Sequence, residues 1–277
     1  MIYTAKSHAK VNLFLNVVDR NINGYHNLQS YFVLLNLSDF ITIDSSVDIS
    51  SCSFENCKLI ENNIVIKVLN YINTINDSLK FAKIHIKKNI PIAAGLGGGS
   101  SNAAVILNLM SKIWNFPELT AKQISEVAHN IGADVPFFYY GKNAFIEGIG
   151  DKITPINVNK ELFILLINPG LEVETKEIYS CVKGDFTPKI SCNKDDIIYE
   201  IFHGKNDLEK YAIQKHPLIG ELLKIIKKQN NCLVGRMSGS GSTCFGIFEQ
   251  EDDVKGAMNK LKEIFKNFWI HYEKIYI

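Results

Sequence analysis

The sequence lacks the features of a membrane protein or of a nucleic-acid-binding protein. Its charges almost cancel: 30 lysine and arginine residues stand against 29 aspartate and glutamate residues, a formal net charge of +1 over 277 residues. A nearly neutral chain has no overall field that attracts nucleic acid or an anionic membrane. The longest apolar runs, such as residues 162–167, are far shorter than a membrane span. We therefore expect neither nucleic acid nor a membrane as a partner.

Cysteine is also used sparingly, and without the paired spacing of a zinc site. The six cysteines are Cys52, Cys57, Cys181, Cys192, Cys232 and Cys244. A chain of this length can bury a core without disulfides, so we expect reduced thiols. The seven histidines form no pattern with carboxylates that predicts a protein-built metal cage. A strand pattern begins within the first ten residues and leaves no room for a signal or transit peptide, so we expect a cytoplasmic protein.

Helical and strand periods mix along the chain without a regular βαβ order. Residues 9–17 alternate apolar and polar, which predicts a half-buried strand whose Lys10 and Asn12 face a cleft or water. Further strands are predicted at 28–37, 40–43, 83–87, 144–146, 162–168, 233–237 and 243–248, and helices at 64–75, 102–114, 121–131, 216–228 and 252–268. This mixture predicts an α+β fold and argues against a doubly wound sheet.

A glycine-rich segment joins the strand at 83–87 to the helix at 102–114. Glycines let main-chain N–H groups approach an anion, and a helix N-terminus adds unpaired donors and a favourable dipole. The lysine of a GxxxxGK[ST] loop is absent, and Ser100 interrupts a GxGxxG pattern. A flexible turn would explain two isolated glycines, but four glycines followed by two serines favour a phosphate-binding loop. We assign this loop to Pro91, Ile92, Ala93, Ala94, Gly95, Leu96, Gly97, Gly98, Gly99, Ser100 and Ser101.

Three other short segments have ordinary structural explanations when each is taken alone. The Ser/Gly stretch at 238–242 would be a hairpin turn between two strands. Asp134, the one acid in the apolar heptad 132–138, would be a cap or turn residue near Pro136. Tyr25 and His26, after the turn at 21–24, would be packing and a surface imidazole.

A family resemblance changes these interpretations. Residues 91–101 resemble the phosphate loop of the GHMP kinases, and residues 237–243 resemble a second glycine-rich loop of that superfamily. The segments K-V-N-L at 10–13, G-Y-H at 24–26 and G-A-D-V-P-F-F at 132–138 resemble those of the diphosphocytidyl-methylerythritol kinases within it. The motifs occur in the same order and the resemblance runs nearly end to end.

The resemblance implies a two-domain α+β GHMP fold with the active site in the cleft between an N-terminal domain, 1–157, and a C-terminal domain, 158–277. It implies ATP as phosphoryl donor, with Mg²⁺ held mainly by the ATP phosphates. The implied reaction is phosphorylation of the 2-hydroxyl of 4-diphosphocytidyl-2-C-methyl-D-erythritol, a step of non-mevalonate isoprenoid precursor synthesis. The partner is thus a small molecule that carries cytidine diphosphate.

The resemblance also implies roles for individual residues. Asp134 is the catalytic base, and Lys10 keeps it ionised and polarises the acceptor hydroxyl. Tyr25 stacks on the cytosine and His26 hydrogen-bonds its edge. The remaining substrate contacts are Asn12, Thr175 and Tyr179, and the second phosphate-holding loop is Ser238, Gly239, Ser240 and Gly241.

Two alternatives stay open on the residues. Another GHMP small-molecule kinase, of the homoserine or mevalonate type, would need the phosphate loop but not Tyr25 and His26. A non-catalytic nucleotide-binding module would need neither Lys10 nor Asp134. A dinucleotide-binding oxidoreductase is disfavoured, because the fingerprint is broken and the βαβ frame is missing.

Overall fold

The computed structural model of the chain describes residues 1–56, 63–75 and 79–277. The strands are β1 (Ile2–Arg20), β2 (His26–Asp44), β3 (Ser51–Glu55), β4 (Lys83–Lys87), β5 (Ala144–Gly148), β6 (Lys152–Pro155), β7 (Glu161–Asn168), β8 (Val234–Met237), β9 (Cys244–Phe248) and β10 (Trp269–Tyr276). The helices are α1 (Ile64–Thr74), α2 (Gly98–Trp114), α3 (Ala121–Asn130), α4 (Val135–Tyr140), α5 (Thr175–Ser180), α6 (Lys194–His203), α7 (Glu209–Lys215), α8 (Pro217–Lys227) and α9 (Glu251–Ile264).

The chain forms two compact units, each built from several segments. Unit 1 comprises Met1–Ala9, Asn36–Ile90 and Gly97–Lys142, and unit 2 comprises Lys10–Leu35, Pro91–Leu96 and Asn143–Ile277. The long strands β1 and β2 therefore contribute residues to both units. The predicted phosphate loop is also divided: residues 91–96 belong to unit 2 and residues 97–101 to unit 1.

Unit 1 packs a small sheet with helices α1 to α4. The end of β2 pairs antiparallel with β4, from Phe40 opposite Lys87 to Asp44 opposite Lys83, and β3 pairs parallel with β4. Helix α2 is buried along Ala103, Ile106, Leu107 and Met110. Helix α2 packs against both α1 and α4. These contacts fix its position in unit 1, and with it the position of its N-terminus.

Unit 2 is centred on an antiparallel sheet with the strand order β10-β7-β9-β8. All eight residues of β7 except Glu161 are buried, as expected of a central strand. Helices α8 and α9 cover this sheet with apolar faces that include Leu222, Ile226 and Leu261. The start of β2 pairs with β5, which pairs with β6.

Several sequence predictions are confirmed. The fold is α+β, and β4 has the predicted bounds of 83–87. Helix α3 begins at the predicted cap, because Thr120 and Gln123 form a capping box in which each side chain bonds the other residue's backbone. Five cysteines are free thiols; Cys57 lies outside the described residues.

The prediction of two strands at 28–37 and 40–43 is wrong, because β2 is one continuous strand. The polar pair Ser38 and Asp39, which lies between the two predicted strands, does not interrupt β2. Instead the buried Asp39 carboxylate accepts from the Lys88 ammonium and from the N–H groups of Asn89 and Ile90, at 2.8 and 2.9 Å, so it is satisfied within the strand.

The prediction that one face of residues 9–17 is open to a cleft or water is also wrong. Every residue from Ala9 to Val17 is buried. Lys10 and Asn12 are hydrogen-bonded inside unit 2, where Asn12 donates to Ser30 Oγ at 3.2 Å. Asn16 Nδ2 donates to Glu200 at 3.2 Å, whereas its buried Oδ1 has no hydrogen-bond partner among the described residues. The alternation of residue type in this strand therefore marks an apolar face and a mostly polar face that are both buried.

Two helix boundaries differ from the prediction. Helix α2 begins at Gly98 rather than Asn102, because Gly97 adopts a left-handed conformation and its carbonyl accepts from Ser101 N–H at 2.9 Å. Helix α9 ends at Ile264, where a turn with Phe268 N–H on the Phe265 carbonyl leads into β10. Among the described residues, the helices are all too short or too polar to cross a membrane.

Candidate active site

Lys10 lies in the middle of β1, and its environment in unit 2 is closed. The side chain is 3% exposed, and Nζ donates to Asn12 Oδ1 at 2.5 Å. The ammonium also lies 4.4 Å from the centre of the Phe32 ring, within the range of a cation–π interaction. Its main-chain N–H donates to the Leu96 carbonyl at 3.0 Å. The predicted catalytic lysine is therefore held rigidly beside the first glycine-rich segment.

Asn12 connects Lys10 to the second glycine-rich loop. Its main-chain N–H donates to Ser238 Oγ at 3.3 Å. Ser238 Oγ in turn donates to the Gly95 carbonyl at 3.0 Å. One serine hydroxyl thus joins strand β1 to both of the predicted phosphate-holding segments in unit 2.

The two segments also meet through their backbones. Gly95 has a φ of +73°, and a Cβ there would lie 2.2 Å from the Ser238 carbonyl oxygen. A side chain cannot occupy that space, so the close approach requires glycine. Thr243 N–H donates to the Ala94 carbonyl at 3.2 Å. Residues 91–96 and 238–243 therefore pack against each other through main-chain groups.

Helix α5 brings two predicted substrate residues to this side of unit 2. Thr175 Oγ1 and Ser240 Oγ are hydrogen-bonded at 2.9 Å. Four residues later on the same helix, the Tyr179 ring lies 5.5 Å from the His26 ring with an interplanar angle of 31°. Residues i and i+4 share one helix face, so α5 links the second glycine-rich loop to the predicted base-reading histidine.

The hydrogen bond of His26 determines its tautomer. His26 is buried, and Nε2 lies 3.2 Å from the Val182 carbonyl oxygen, which can only accept. Nε2 therefore carries a proton. Burial lowers the pKa of His26 from 6.5, the positive charge of Arg20 lowers it further, and the bond to Val182 opposes both. In the neutral ring Nδ1 is then a hydrogen-bond acceptor.

Tyr25 precedes His26 at the end of a tight turn. Asn21 N–H donates to the Tyr25 carbonyl at 2.7 Å, and Gly24 has a φ of +85°. The Tyr25 side chain is 53% exposed. An aromatic ring with this exposure has a face on which a planar group can stack.

Residues 97–101 of the predicted phosphate loop belong to unit 1, where they form the start of helix α2. A Cβ at Gly98 would lie 3.1 Å from the Ile90 side chain and 3.2 Å from Lys88 Nζ. The glycines therefore allow the first turn to lie close to the chain that precedes it. The first N–H groups of a helix have no intrahelical partner and carry positive partial charge, so this end of α2 fits a phosphate.

A buried polar network holds that helix start, and sequence reasoning missed it. Asn102 Nδ2 donates to Ser7 Oγ at 2.9 Å and to Asp39 Oδ2 at 3.0 Å. Ser7 Oγ donates to Ser101 Oγ at 2.8 Å, and Lys88 pairs with Asp39. A cation and a carboxylate interrupting apolar strands, as Lys88 and Asp39 do, were the available signal.

Asp134 is the N-cap residue of α4 and also belongs to unit 1. It lies within a turn in which Val135 N–H donates to the Gly132 carbonyl at 3.0 Å. A Cβ at Gly132 would lie 3.4 Å from Ser100 Oγ, so this turn lies against the start of α2. Because Asp134 and Lys10 belong to different units, their pairing stays a prediction.

Within residues 1–56, 63–75 and 79–277, no three His, Cys, Asp or Glu side chains are grouped as metal ligands. The donors near the glycine-rich segments include main-chain N–H groups, serine hydroxyls and the ammonium groups of Lys10 and Lys88. These fit phosphate oxygens, and a hydroxyl also suits a magnesium ion that is bound mainly by phosphate and water.

Family models match both halves of the chain. Residues 63–142 match the GHMP kinases N terminal domain, and residues 196–267 match the GHMP kinases C terminal domain. The chain is 34% identical over 284 residues to a 4-diphosphocytidyl-2-C-methyl-D-erythritol kinase of Wolbachia pipientis wMel, covering 97% of this chain and 96% of the relative.

Solved structures with this fold include close and distant relatives. A crystal structure of 4-(cytidine 5'-diphospho)-2C-methyl-D-erythritol kinase matches with a TM-score of 0.80 and 28% identity, covering 99% of this chain and 100% of that one. A homoserine kinase from Cytophaga hutchinsonii matches with a TM-score of 0.71 at 15% identity, covering 100% and 95%. The second likeness shows the fold alone.

Proposed function

Because this chain belongs to the 4-diphosphocytidyl-2-C-methyl-D-erythritol kinase family of the GHMP kinases, we propose that it phosphorylates the 2-hydroxyl of 4-diphosphocytidyl-2-C-methyl-D-erythritol. The products are the 2-phosphate and ADP, and the reaction belongs to non-mevalonate isoprenoid precursor synthesis. The observation that carries this proposal is the contact of His26 with Tyr179 on the helix that also bears Thr175. A kinase for a small alcohol without a nucleotide has no need of such a pair.

The tautomer of His26 supports recognition of cytosine. With a proton on Nε2 and Val182 as its acceptor, Nδ1 can accept a hydrogen bond from the substrate. Cytosine offers the N4 amine as a donor at the position where uracil carries a carbonyl oxygen. In uracil, the carbonyl oxygen at that position would face His26 Nδ1, and two acceptors cannot form a hydrogen bond. We therefore propose that His26 selects cytosine while Tyr25 stacks on the ring.

The phosphates of ATP are assigned to the glycine-rich segments. ATP supplies the γ-phosphoryl group that is transferred. Residues 97–101 contribute the positive end of helix α2, and residues 238–241 contribute the main-chain N–H groups of Gly239 and Ser240 and the hydroxyl of Ser240. Because these donors are held by the protein before ligand binds, they stabilise phosphate charge at little reorganisation cost. Magnesium is proposed to bind chiefly to the phosphates.

Asp134 is the proposed general base and Lys10 its partner. Asp134 would accept the proton of the 2-hydroxyl as that oxygen attacks phosphorus. Lys10 would stabilise the charge on the attacking oxygen, and its fixed position beside Asn12 and Phe32 suits an orienting role. General-base help contributes about 10²- to 10⁴-fold, so positioning and phosphate electrostatics must supply the rest.

We further propose domain limits of 1–157 and 158–277 and a cytoplasmic location. The two family matches, 63–142 and 196–267, fall on opposite sides of this boundary and support it. The near-neutral charge and the absence of a membrane-spanning helix among the described residues are compatible with that location.

The reaction is tested by ADP release from purified protein with Mg-ATP and four alcohols: the cytidylated methylerythritol, homoserine, mevalonate and galactose. We expect ADP with the cytidylated alcohol alone. Release of ADP with one of the other alcohols would show a GHMP kinase with a different substrate and would refute the roles of Tyr25 and His26. If none of the four alcohols gives ADP release, the proposed reaction is refuted.

A further inference from the structure

Asn206, to which no sequence motif assigns a role, is hydrogen-bonded to the second glycine-rich loop. It lies between α6 and α7, is 4% exposed, and forms an isolated bridge with Leu15 of β1. Its Nδ2 donates to the Met237 carbonyl at 2.8 Å and to the Gly239 carbonyl at 2.7 Å. Both hydrogens of one amide group are thus used on one short loop.

The rest of Asn206 is fixed as well, so the two bonds act from a rigid base. Oδ1 accepts from Leu208 N–H at 3.0 Å, and Leu208 is fully buried. Glu209, one turn further on, accepts from Met237 N–H at 3.0 Å. Residues 206–209 therefore bond the start of the loop on both its N–H and its C=O groups.

These bonds dictate where the next N–H group points. The C=O and N–H of a trans peptide point in opposite directions. When the Gly239 carbonyl points to Asn206, the N–H of Ser240 points away from it. Gly239 has a φ of +56° and Gly241 a φ of +96°, so both residues are glycines in a conformation that other residues rarely adopt. Backbone hydrogen bonds from Gly241 N–H to the Ser238 carbonyl and from Ser238 N–H to the Thr243 carbonyl close the loop. The Gly239 carbonyl between them is bonded to Asn206.

We infer that Asn206 is a positioning residue for phosphate binding: its amide selects the loop conformation in which Ser240 N–H is presented to a phosphate of ATP. The inference rests on the proposed function, because that function assigns residues 238–241 to the phosphates. Ser240 Oγ, bonded to Thr175, lies on the same residue. Asn206 itself does not need to touch the nucleotide.

The test compares two isosteric substitutions in unit 2. Asn206→Asp keeps the acceptor for Leu208 N–H but replaces the donor by an oxygen that faces two carbonyls. Asn143→Asp is the matched control: Asn143 Oδ1 accepts from Leu34 N–H at 2.9 Å and Nδ2 donates to the Tyr276 carbonyl at 2.6 Å. Both variants lose donors to main-chain carbonyls, but the control contacts no residue of the proposed site.

The first readout is the Kd of Mg-ATP by calorimetry, with the melting temperature recorded in parallel. We expect Asn206→Asp to weaken Mg-ATP binding about tenfold or more, as two lost hydrogen bonds allow. The KM of the acceptor alcohol should change less than about twofold, and Asn143→Asp should bind Mg-ATP as wild type does. Unchanged Mg-ATP affinity in Asn206→Asp, or an equal loss in the control, would overturn the inference.

Two further measurements keep the inference testable. If Asn206→Asp does not fold, Asn206→Ser, which is uncharged and too short to reach both carbonyls, is measured instead with the same expectation. Because Mg-ATP affinity is read without an acceptor, the inference is tested even if wild type releases no ADP with the cytidylated alcohol. A wild type that releases no ADP with the cytidylated alcohol would refute the proposed function but not the inference about Asn206.

Discussion

Asp134 is the side chain on which turnover should depend most steeply. Asp134→Asn keeps the shape of the side chain but cannot accept the hydroxyl proton. We expect kcat to fall about 10²- to 10⁴-fold with the affinity for Mg-ATP and for the cytidylated alcohol close to wild type. Steady-state kinetics and calorimetry on the same preparation measure both. Near-normal kcat would remove Asp134 as the base.

His26 should impose a pH dependence whose direction follows from its environment. Burial lowers its pKa below 6.5, so the ring stays neutral and Nδ1 stays an acceptor until the pH falls below that lowered pKa. We expect kcat/KM for the cytidylated alcohol to be insensitive to the protonation of His26 well above pH 6.5 and to fall only as the pH drops through the lowered pKa. A His26→Ala series over the same pH range is the control, and it should lack this break.

The same shift has a consequence for stability. Between the lowered pKa of folded His26 and the unfolded value of about 6.5, the unfolded chain binds the proton and the folded chain does not. The stability that neutral His26 retains above pH 6.5 is therefore lost progressively as the pH falls through this window. Denaturant unfolding of wild type and His26→Ala at several pH values measures the difference. An excess stability of wild type over His26→Ala that shrinks as the pH rises through this window would contradict the assignment.

At the scale of elements, the contact between the two glycine-rich segments depends on the absence of a side chain. Gly95 and Gly170 have similar positive φ values, +73° and +76°, but a Cβ at Gly95 would overlap the Ser238 carbonyl whereas none of the described atoms lies within 4 Å of one at Gly170. We expect Gly170→Ala to cost about 1–2 kcal/mol from φ alone. Gly95→Ala should cost more and should also weaken Mg-ATP binding. Equal effects would show that the contact is unimportant.

Helix α3 provides a prediction about stability without function. Thr120 accepts from Gln123 N–H at 3.3 Å in the capping box. Thr120→Ala should lower the free energy of unfolding by about 1 kcal/mol, and Thr120→Ser should restore most of it. Chemical denaturation measures the change, and kcat should stay at its wild-type value in both variants. A large loss of kcat in Thr120→Ala would mean that α3 supports the site.

The sequence predicted elements well where a local signal was sufficient. The cap at Thr120 and the alternation around Ile84 and Ile86 are local, and both elements occur at the predicted places. The continuous strand β2 was missed because Asp39 is satisfied by Lys88, which lies 49 residues away in the chain. No local pattern contains that pairing.

The candidate site was predictable to a different degree. Motifs predicted Lys10, the glycine-rich loops and the Tyr25–His26 pair as site residues, because a resemblance supplies roles that periodicity does not, and these roles stay predictions. Asn206 and the network around Asn102 were missed, since each acts through tertiary hydrogen bonds to main-chain groups or buried hydroxyls. Such supporting residues are polar, buried and outside any recognisable spacing, so they become visible only in the folded chain.

At the scale of the whole molecule, ligands that bind the folded state should raise its stability. Cytidine monophosphate at 100 times its Kd would stabilise the protein by about 2.7 kcal/mol. We expect a clear rise in melting temperature with cytidine monophosphate and a much smaller one with uridine monophosphate. His26→Ala should abolish the difference between the two nucleotides. Equal protection of wild type by both would refute selection of cytosine by His26.

The central claim is that the phosphoryl group is placed on the 2-hydroxyl of the cytidylated alcohol. Proton-coupled phosphorus NMR of the reaction with Mg-ATP tests it directly, because C2 of a 2-C-methyl sugar alcohol carries no hydrogen. We predict a new phosphomonoester signal without splitting by a carbinol proton, while the diphosphate of the substrate stays intact. A new phosphomonoester signal split by carbinol protons would place the phosphate on another hydroxyl, and no new signal would mean that this alcohol is not the substrate.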